Sequence, residues 1–309
     1  MIKVIITGSN GLLGQSLLNL LLQDSTSYQV IGFSRGINRS GRDDFEYVSI
    51  DLTNSKLLEE NLLKFQPDFI INTAAMTNVD FCENNKIECD ALNVGVVKTL
   101  VAMAAQIKAH VIHLSTDFIF DGMQGNYKET DTPNPLNYYG VSKLKSEEIL
   151  KNATIDFTIL RTILVYGEVF DKSSSNIILW IKEMLENKKE ITIVNDQFRT
   201  PTYVVDLAQA CKISMDNRSK GVFNIASNKL LSIYEIALQI GNVFDLDTSY
   251  IKAISTSTLN QTALRPVKTG FNLSKTKKEL KFQLKSFAED LQRLKENGMK
   301  QRYLTRKNS

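Results

Sequence analysis

Cysteine and histidine are scarce in this chain of 309 residues, which has three cysteines and two histidines. The cysteines Cys82, Cys89 and Cys211 form neither a disulfide framework nor a metal-ligand pattern, and His110 and His113 are too few to complete one. We therefore expect no metal site, and a protein of a reducing compartment, the cytoplasm.

Long apolar runs and a strong excess of one charge are also missing. No run approaches membrane-spanning length, and the first residues, MIKVIITG, already read as a strand without a charged and apolar leader. The net charge of +3 is small for this length, so the charge does not indicate a nucleic-acid-binding surface. We expect no membrane insertion, no targeting segment and no nucleic-acid partner, and a core that suits one large domain or two unequal ones.

Short apolar runs alternate with helical patterns along the first half of the chain. The strand-like runs are VIITG, YQVIGFS, EYVSIDL, PDFIINTAA, HVIHLSTDFIF and FTILRTILVYG. The segments between them, such as GLLGQSLLNLLLQ and ALNVGVVKTLVAMAAQIK, have helical length and periodicity. This alternation predicts an α/β fold with a Rossmann-type doubly wound parallel sheet. It also puts His113 inside a strand, which favours a packed side chain over a catalytic one.

The second half of the chain is less regular. After about Gly167 the pattern predicts a helix, a strand EITIVND, a helix over TYVVDLAQACKISM, a strand GVFNIAS and then mostly helical sequence. We predict a cofactor-binding Rossmann domain of residues 1–167 and about 203–227. A smaller C-terminal substrate-binding lobe would hold residues 168–202 and 228–309, so the chain would cross between the two more than once.

Three evenly spaced glycines follow the first predicted strand, in the segment GSNGLLG. Glycines at a strand-to-helix turn allow a tight turn and let the backbone approach a pyrophosphate at the helix N-terminus. The spacing is G-x-x-G-x-x-G rather than the commoner G-x-G-x-x-G, but strand and helix flank it as the motif requires. The predicted cofactor-binding residues of this loop are Gly8, Asn10, Gly11, Leu12, Leu13 and Gly14.

The end of the second predicted strand indicates which dinucleotide is bound. An acidic residue there would bond a free ribose 2′-hydroxyl, whereas a basic one would suit a 2′-phosphate. This strand ends in Ser34 and Arg35, without Asp or Glu, so the sequence favours NADPH and leaves NADH open. After the third strand, we expect Asp51 and Leu52 on the adenine side of the cofactor.

A tyrosine and a lysine stand four residues apart in the segment NYYGVSKLKSEEIL. On a helix, Tyr139 and Lys143 share a face, whereas Tyr138 points elsewhere. A tyrosine pKa is ordinarily about 10, and a nearby ammonium stabilises the phenolate. We therefore expect Lys143 to lower the pKa of Tyr139, so that this phenol can act as a general acid or base.

Together with an upstream STD, these motifs make the chain similar to the extended short-chain dehydrogenases/reductases. More narrowly, it resembles the dTDP-4-dehydrorhamnose reductase family. The matching stretches run over nearly the whole chain. They are ITGSNGLLG, INTAAMTNVDFCE, HLSTDFIFDG with a following YKETDTPNPLNYYGVSK, ILRTILVYG, NDQFRTPTYVVDLA and LRPVKTGFNLSK.

The resemblance implies NADPH-dependent reduction of the C4 ketone of a nucleotide-linked 6-deoxy-4-keto sugar, dTDP-4-dehydrorhamnose being reduced to dTDP-L-rhamnose. Thr116 of the STD motif would polarise the carbonyl and Tyr139 would donate the proton. Lys143 would also contact the nicotinamide ribose. The residues expected to line the cofactor cleft are Ala74, Ala75 and Ser115.

The expected substrate side carries two departures from the family pattern. Leu164 stands where the family usually has a tryptophan near the sugar, and Met76 replaces a tyrosine common in the segment TAAYT. Both remove aromatic surface, which leaves the exact deoxysugar open. The residues expected on this side are Thr116, Leu164, Gln197, Arg199, Thr200, Pro201 and Arg265, the last because a guanidinium suits a diphosphate.

Three other functions are compatible with the same fold. A 4,6-dehydratase would carry an acidic pair after the threonine, but the order here is Thr116, Asp117 and Phe118, so the second acid is missing. An epimerase uses the same tyrosine and lysine but retains its NAD. A non-catalytic role is also open, because the regulatory subunit of methionine adenosyltransferase resembles this family. A homodimer remains open as well.

Overall fold

The computed structural model describes residues 1–168 and 176–307, and for 298–307 it describes the backbone alone. A sheet of seven parallel strands lies at the centre, in the order β11–β6–β5–β4–β1–β2–β3. The strands are β1 (Ile2–Thr7), β2 (Tyr28–Ser34), β3 (Glu46–Ser49), β4 (Phe69–Asn72), β5 (His110–Thr116), β6 (Phe157–Thr162) and β11 (Gly221–Ile225). The strand order reverses between β1 and β4. The predicted doubly wound Rossmann-type fold is confirmed.

Helices cover both faces of this sheet, because alternate side chains of each strand point to opposite sides. In β1, Val4 and Ile6 join a core with α1 and α8, whereas Ile5 joins a second core with α2 and α5. The helices are α1 (Leu12–Leu21), α2 (Ser55–Phe65), α3 (Val79–Asn84), α4 (Lys86–Asp90), α5 (Val96–Ile107), α6 (Tyr138–Lys151), α7 (Ile177–Glu186), α8 (Val204–Asp216), α9 (Ile233–Val243) and α10 (Phe287–Lys307).

Three smaller sheets lie in the second half of the chain. The first pairs β7 with β10, the second joins β9 to β12 and β14, and the third pairs β8 with β13. A third apolar core lies among α7, α9, α10 and these strands. The strands are β7 (Val165–Tyr166), β8 (Ile191–Val194), β9 (Phe198–Arg199), β10 (Thr202–Tyr203), β12 (Leu231–Ser232), β13 (Ile251–Ile254) and β14 (Lys268–Thr269).

Several predicted strands are shorter than expected, and two of them end at the site described below. HVIHLSTDFIF ends as a strand at Thr116 and continues as a 3₁₀ turn over Asp117–Ile119. FTILRTILVYG is broken at Leu164, whose φ of 43° is left-handed, so β6 and β7 enter different sheets. A left-handed residue ends strand geometry, and the apolar pattern does not reveal it.

The expectation of mostly helical sequence after residue 228 holds only in part. Helices α9 and α10 are present, but the chain between them forms β13, β14 and short turns. Strands of two to four residues are too short for periodicity to reveal. Earlier in the chain, α8 packs on α1 and β11 joins the central sheet, and the division into two domains stays a prediction.

A buried ion pair fixes α6 against β6. Arg161 Nε and Nη2 donate to the two carboxylate oxygens of Glu147 at 2.9 and 2.8 Å, and both side chains are fully buried. Lys151 adds a bond of 2.8 Å to the same carboxylate. Burial alone would raise the pKa of Glu147, but the hydrogen bonds and charges of Arg161 and Lys151 lower it from 4.5 to about 2.

We predict that Glu147→Gln lowers the free energy of unfolding by about 3–5 kcal/mol, because it leaves the buried Arg161 without a counter-charge. The lowered pKa contributes about 3 kcal/mol of stability above about pH 4.5, which is lost as the pH falls towards about 2. Urea unfolding across this range should therefore give a shallower pH dependence in the variant. The matched control is Glu148→Gln on the exposed face of α6. Equal stabilities of the two variants would contradict the prediction.

Candidate active site

A cavity of about 430 Å³ opens at the carboxyl end of the sheet, where the strand order reverses. It is formed by the loops that follow β1, β2, β3 and β4, as expected for ligand sites of open α/β sheets. The predicted cofactor-binding residues in its lining are Gly8, Gly11, Ser34, Arg35, Asp51, Leu52, Ala74 and Ala75. The lining also contains Met76, Glu88, Ala91 and Leu92. Of these four, only Met76 was expected near a ligand, and it was expected on the sugar side.

Two glycine positions of the loop at this cavity have no room for a side chain. Gly8 has a φ of 68°, and a Cβ there would lie 2.9 Å from the backbone nitrogen of Ala74. A Cβ on Gly14 would lie 2.3 Å from the carbonyl oxygen of Gly8. Gly11 is the N-cap of α1 and has no side chain to cap the first turn, so the first-turn amides of α1 stay available to an anion.

Not every predicted residue of this loop faces the cavity. Asn10 fastens the segment after β2, because its Nδ2 donates to the carbonyl oxygen of Ile37 at 2.9 Å and its Oδ1 accepts from the amide of Arg39 at 2.9 Å. Leu13 is buried in the core, and Leu12 packs against that core. Asn10 therefore supports the loop that carries Arg35, and the two leucines anchor α1.

The STD motif and the tyrosine helix meet at the end of β5. Thr116 Oγ1 accepts from the amide of Phe118 at 3.2 Å and donates to Asp117 Oδ1 at 3.1 Å. The ring of Tyr139 packs edge-on against Phe118, with the ring centroids 6.0 Å apart, which brings its phenol into the neighbourhood of Thr116. A Cβ on Gly140 would lie 2.1 Å from the carbonyl oxygen of Phe118, so only glycine lets α6 approach so closely. The predicted pair of Thr116 and Tyr139 is thus brought together.

The electrostatics of Tyr139 differ from the expectation. Burial raises the pKa of Tyr139 above its ordinary value, and the neighbouring Thr116 opposes this only in part. The Nζ of Lys143 lies 3.1 Å from Nε2 of His113, and burial lowers the lysine pKa to about 8. The predicted lowering of the Tyr139 pKa by Lys143 is therefore wrong, because desolvation of the phenol outweighs any effect of the lysine charge.

The neighbouring Tyr138 points away from this site, as predicted. Its hydroxyl donates to Asp90 Oδ2 at 2.8 Å, and Lys145 Nζ donates to the same carboxylate oxygen at 2.9 Å. The two adjacent tyrosines thus have separate partners. Tyr138 provides a control position for tests of Tyr139.

A second cavity, of about 300 Å³, lies next to the end of β5. Asp117 and Phe118 line it, directly after Thr116. The predicted substrate-side residues in its lining are Leu164, Gln197, Arg199 and Arg265. Trp180 of α7 also lines it with 38% of its surface exposed, and the sequence did not reveal this residue because it lies within an ordinary amphipathic helix. Thr200 and Pro201 are buried.

Both predicted arginines of this cavity are held by protein groups. Arg199 is buried, and its guanidinium donates to the carbonyl oxygen of Pro266 at 2.8 Å and lies 3.8 Å from the carboxylate of Asp117. Burial raises the pKa of Asp117, and the charge of Arg199 opposes that rise. Arg265 forks onto Asp80 of α3, with its shorter contact at 2.6 Å. Arg199 therefore joins the end of β5 to the segment before β14.

The described residues contain no group of three or more His, Cys, Asp or Glu side chains placed to hold a metal ion. In the same ranges, no helix has the length and apolar character needed to cross a membrane. The three cysteines are free and buried. Ser115 Oγ, which is buried beside Thr116, has no hydrogen-bond partner within the described ranges.

Comparisons with known proteins agree with this geometry. A family model described as the RmlD substrate binding domain matches residues 2–299. The beta subunit of methionine adenosyltransferase 2 from Bos taurus is 33% identical over 260 residues, covering 82% of this chain and 76% of that protein. A dTDP-4-dehydrorhamnose reductase from Aggregatibacter actinomycetemcomitans is 31% identical over 290 residues, covering 89% and 92%.

A solved structure extends the likeness to three dimensions. The crystal structure of dTDP-4-dehydrorhamnose reductase from Bacillus anthracis in complex with NADP has a TM-score of 0.84 and 25% sequence identity, covering 95% of this chain and 99% of that one. The family model, the sequence matches and the structural match each cover more than four fifths of the chain. The chain therefore belongs to the RmlD substrate binding domain family, the dTDP-4-dehydrorhamnose reductase family that its sequence resembles.

Proposed function

We propose that the protein is an NADPH-dependent reductase of the C4 ketone of a nucleotide-linked 6-deoxy-4-keto sugar, with dTDP-4-dehydrorhamnose as the foremost substrate. The observation that carries the proposal is the close approach of α6 to the end of β5, which brings Tyr139 near Thr116 and next to residues of the second cavity. A hydroxyl pair at this edge suits a carbonyl oxygen that gains negative charge during reduction.

The residues of the first cavity fit a nicotinamide dinucleotide. Gly8 and Gly11 line it where α1 begins without a side-chain cap, and Ser34, Arg35 and Asp51 add polar groups. Ser115 Oγ, at the end of β5 and outside this lining, is buried and lacks a partner within the described residues. The glycine loop would hold the pyrophosphate, and Ser34 and Arg35 would hold a 2′-phosphate, which favours NADPH over NADH. When bound, the cofactor supplies the hydride that adds to C4.

The protein's own contribution is a proton and a fixed geometry. The raised pKa of Tyr139 keeps its phenol protonated at neutral pH, so a proton is available to the ketone oxygen as hydride reaches the carbon. The product then carries a hydroxyl group, and the phenolate regains its proton from solvent. Thr116 would turn its hydroxyl from Asp117 towards the same oxygen, which orients the ketone.

The second cavity would receive the sugar nucleotide. Trp180 offers an exposed aromatic face, which suits a base or sugar ring, while Leu164 gives an apolar wall. For Arg265 to bind a diphosphate, its fork on Asp80 would have to open, since the same nitrogen atoms make both contacts. The proposal therefore has two levels: these residues concern the class of substrate, a sugar nucleotide, and the identity of the deoxysugar is the more specific claim.

A second candidate function is that of a non-catalytic subunit of another enzyme. It is favoured by the 33% identity to the beta subunit of methionine adenosyltransferase 2. The neighbouring hydroxyls of Thr116 and Tyr139 support the reductase, since a purely regulatory subunit has no need of a proton donor there. A homodimer and a cytoplasmic location stay predictions.

The test is nicotinamide absorbance after the protein is mixed with NADPH and dTDP-4-dehydro-β-L-rhamnose. We predict that Tyr139→Phe lowers turnover by about 10²–10⁴-fold and leaves NADPH binding nearly unchanged, because only the proton donor is lost. The matched control is Tyr138→Phe, whose hydroxyl faces Asp90 and should leave turnover intact.

Equal activity of the Tyr139→Phe variant and the wild type would exclude Tyr139 as the proton donor. If wild-type protein binds NADPH but consumes none, other keto sugars come next. Stoichiometric capture of purified methionine adenosyltransferase catalytic subunits, without turnover of any keto sugar, would support the second candidate.

A further prediction concerns cofactor choice. Arg35→Ala should weaken NADPH binding by about tenfold or more and leave NADH binding nearly unchanged, because one charge-assisted contact to the 2′-phosphate is lost. The control is Arg42→Ala in the same loop, whose guanidinium forks onto Asp44. Binding of both cofactors can be followed by their fluorescence. Equal losses for NADPH and NADH would contradict the assignment of Arg35.

A further inference from the structure

A row of buried polar side chains crosses three neighbouring strands of the central sheet. Thr7 of β1 is the register partner of Asn72 in β4, and Asn72 is the register partner of His113 in β5. All three side chains are buried. The row ends at His113, whose next partner across the sheet is the apolar Ile159. Three buried polar residues in one row need a reason, because each costs free energy unless its partners are satisfied.

The hydrogen bonds along this row have one direction. Thr7 Oγ1 donates to Asn72 Oδ1 at 2.6 Å, which fixes the amide oxygen of Asn72 towards β1. The amide nitrogen therefore faces His113 and donates to Nδ1 at 3.0 Å. An Nδ1 that accepts carries no proton. Since burial lowers the pKa of His113 well below its ordinary value, the ring is neutral and its proton lies on Nε2.

The other ring nitrogen reaches the lysine of the active site. His113 Nε2 lies 3.1 Å from Lys143 Nζ and 3.0 Å from Ser146 Oγ. Ser146 in turn donates to the carbonyl oxygen of Lys143 at 2.6 Å, so it can accept from Nε2. His113 is 1% exposed and Lys143 is 2% exposed, and water does not compete for this contact. One imidazole therefore touches both the side chain of Lys143 and the helix turn that bears it.

We propose that His113 is a positioning residue for Lys143: its Nε2–H, which Thr7 and Asn72 keep in place, donates to Ser146 Oγ and so holds the turn of α6 that carries the lysine, and it is shared with Nζ when the amine is neutral. This inference deepens the proposed function, on which its kinetic consequence rests. The contact itself can be tested without any substrate. Without the row, the ring of His113 could rotate. Within the described residues, Lys143 Nζ would then lose its one hydrogen-bond contact with a strand of the sheet.

The charge state of Lys143 depends on groups from three elements. Burial disfavours the ammonium, while Glu147 on the same helix and Cys89 of α4 favour it. From β5, His113 presents an N–H to the amine, and an N–H suits a neutral amine better than an ammonium. We therefore expect removal of this N–H to raise the pKa of Lys143 above about 8.

The first experiment uses the fact that the chain has only two histidines. In full-length protein labelled with ¹⁵N-histidine, we expect the ring signals of His113 to show a neutral ring with its proton on Nε2. They should move as the pH passes about 8, because Lys143 loses its proton there. In Lys143→Met this movement should disappear, while the signals of His110 stay unchanged.

His110→Asn assigns the two rings, since it removes one set of signals. His113 signals that are identical in the wild type and in Lys143→Met at every pH would overturn the proposal. So would a ring whose proton lies on Nδ1. Neither result depends on which sugar the protein reduces, so failure of this inference and failure of the proposed function can be told apart.

The second experiment measures turnover. His113→Asn keeps a polar group for Asn72 but not one for Lys143, whereas His113→Gln can place its amide nitrogen near the position of Nε2. We expect His113→Asn to lower kcat by about tenfold to a hundredfold and to move the alkaline limb of its pH profile upwards. His113→Gln should recover most of this loss.

The matched control is His110→Asn, because His110 is equally buried in the same strand and bonds to Thr158 rather than to Lys143. Thermal unfolding of all variants checks that each is folded. A purely structural role predicts equal losses in His113→Asn and His113→Gln with an unmoved pH limb. That result would overturn the inference.

Discussion

The burial of polar side chains beneath the carboxyl edge of a parallel sheet governs the chemistry of this protein. The sheet is covered by helices on both faces, so polar side chains near its edge find partners among themselves rather than in solvent. This is why Asp117 is paired with Arg199, and Glu147 with Arg161. Desolvation also raises the pKa of Tyr139 and lowers that of Lys143, which moves the proton-bearing groups away from their solution behaviour.

The same edge connects the sheet to the second half of the chain. Asp117 accepts a hydrogen bond from Thr269 of β14, while Arg199 of β9 reaches the carbonyl oxygen of Pro266. Thr116, one residue before Asp117, thus depends on the short strands β9 and β14 for its orientation. The lining of the second cavity and Thr116 are therefore parts of one hydrogen-bonded structure.

Features set by short stretches of sequence could be predicted, whereas features set by contacts between distant segments could not. Spacing alone predicts the strands of the sheet, the glycine loop and the different orientations of Tyr138 and Tyr139. The burial of Arg199, the fork of Arg265 on Asp80 and the left-handed Leu164 depend on where distant segments pack. The expectation that Lys143 lowers the pKa of Tyr139 was wrong because desolvation of the phenol depends on how the folded core packs. His113 was correctly expected to be packed, but its contact with Lys143 required the register of β5 and α6.

The row of Thr7, Asn72 and His113 also bears on how the sheet is assembled. Its strands are buried on both faces, so their apolar side chains alone would tolerate a slip of one residue between neighbours. Such a slip would turn one of the three polar groups away from its partner and leave it unsatisfied in an apolar core. The row thereby singles out one alignment of β1, β4 and β5 among several of similar hydrophobicity, and the site at their carboxyl ends inherits that alignment.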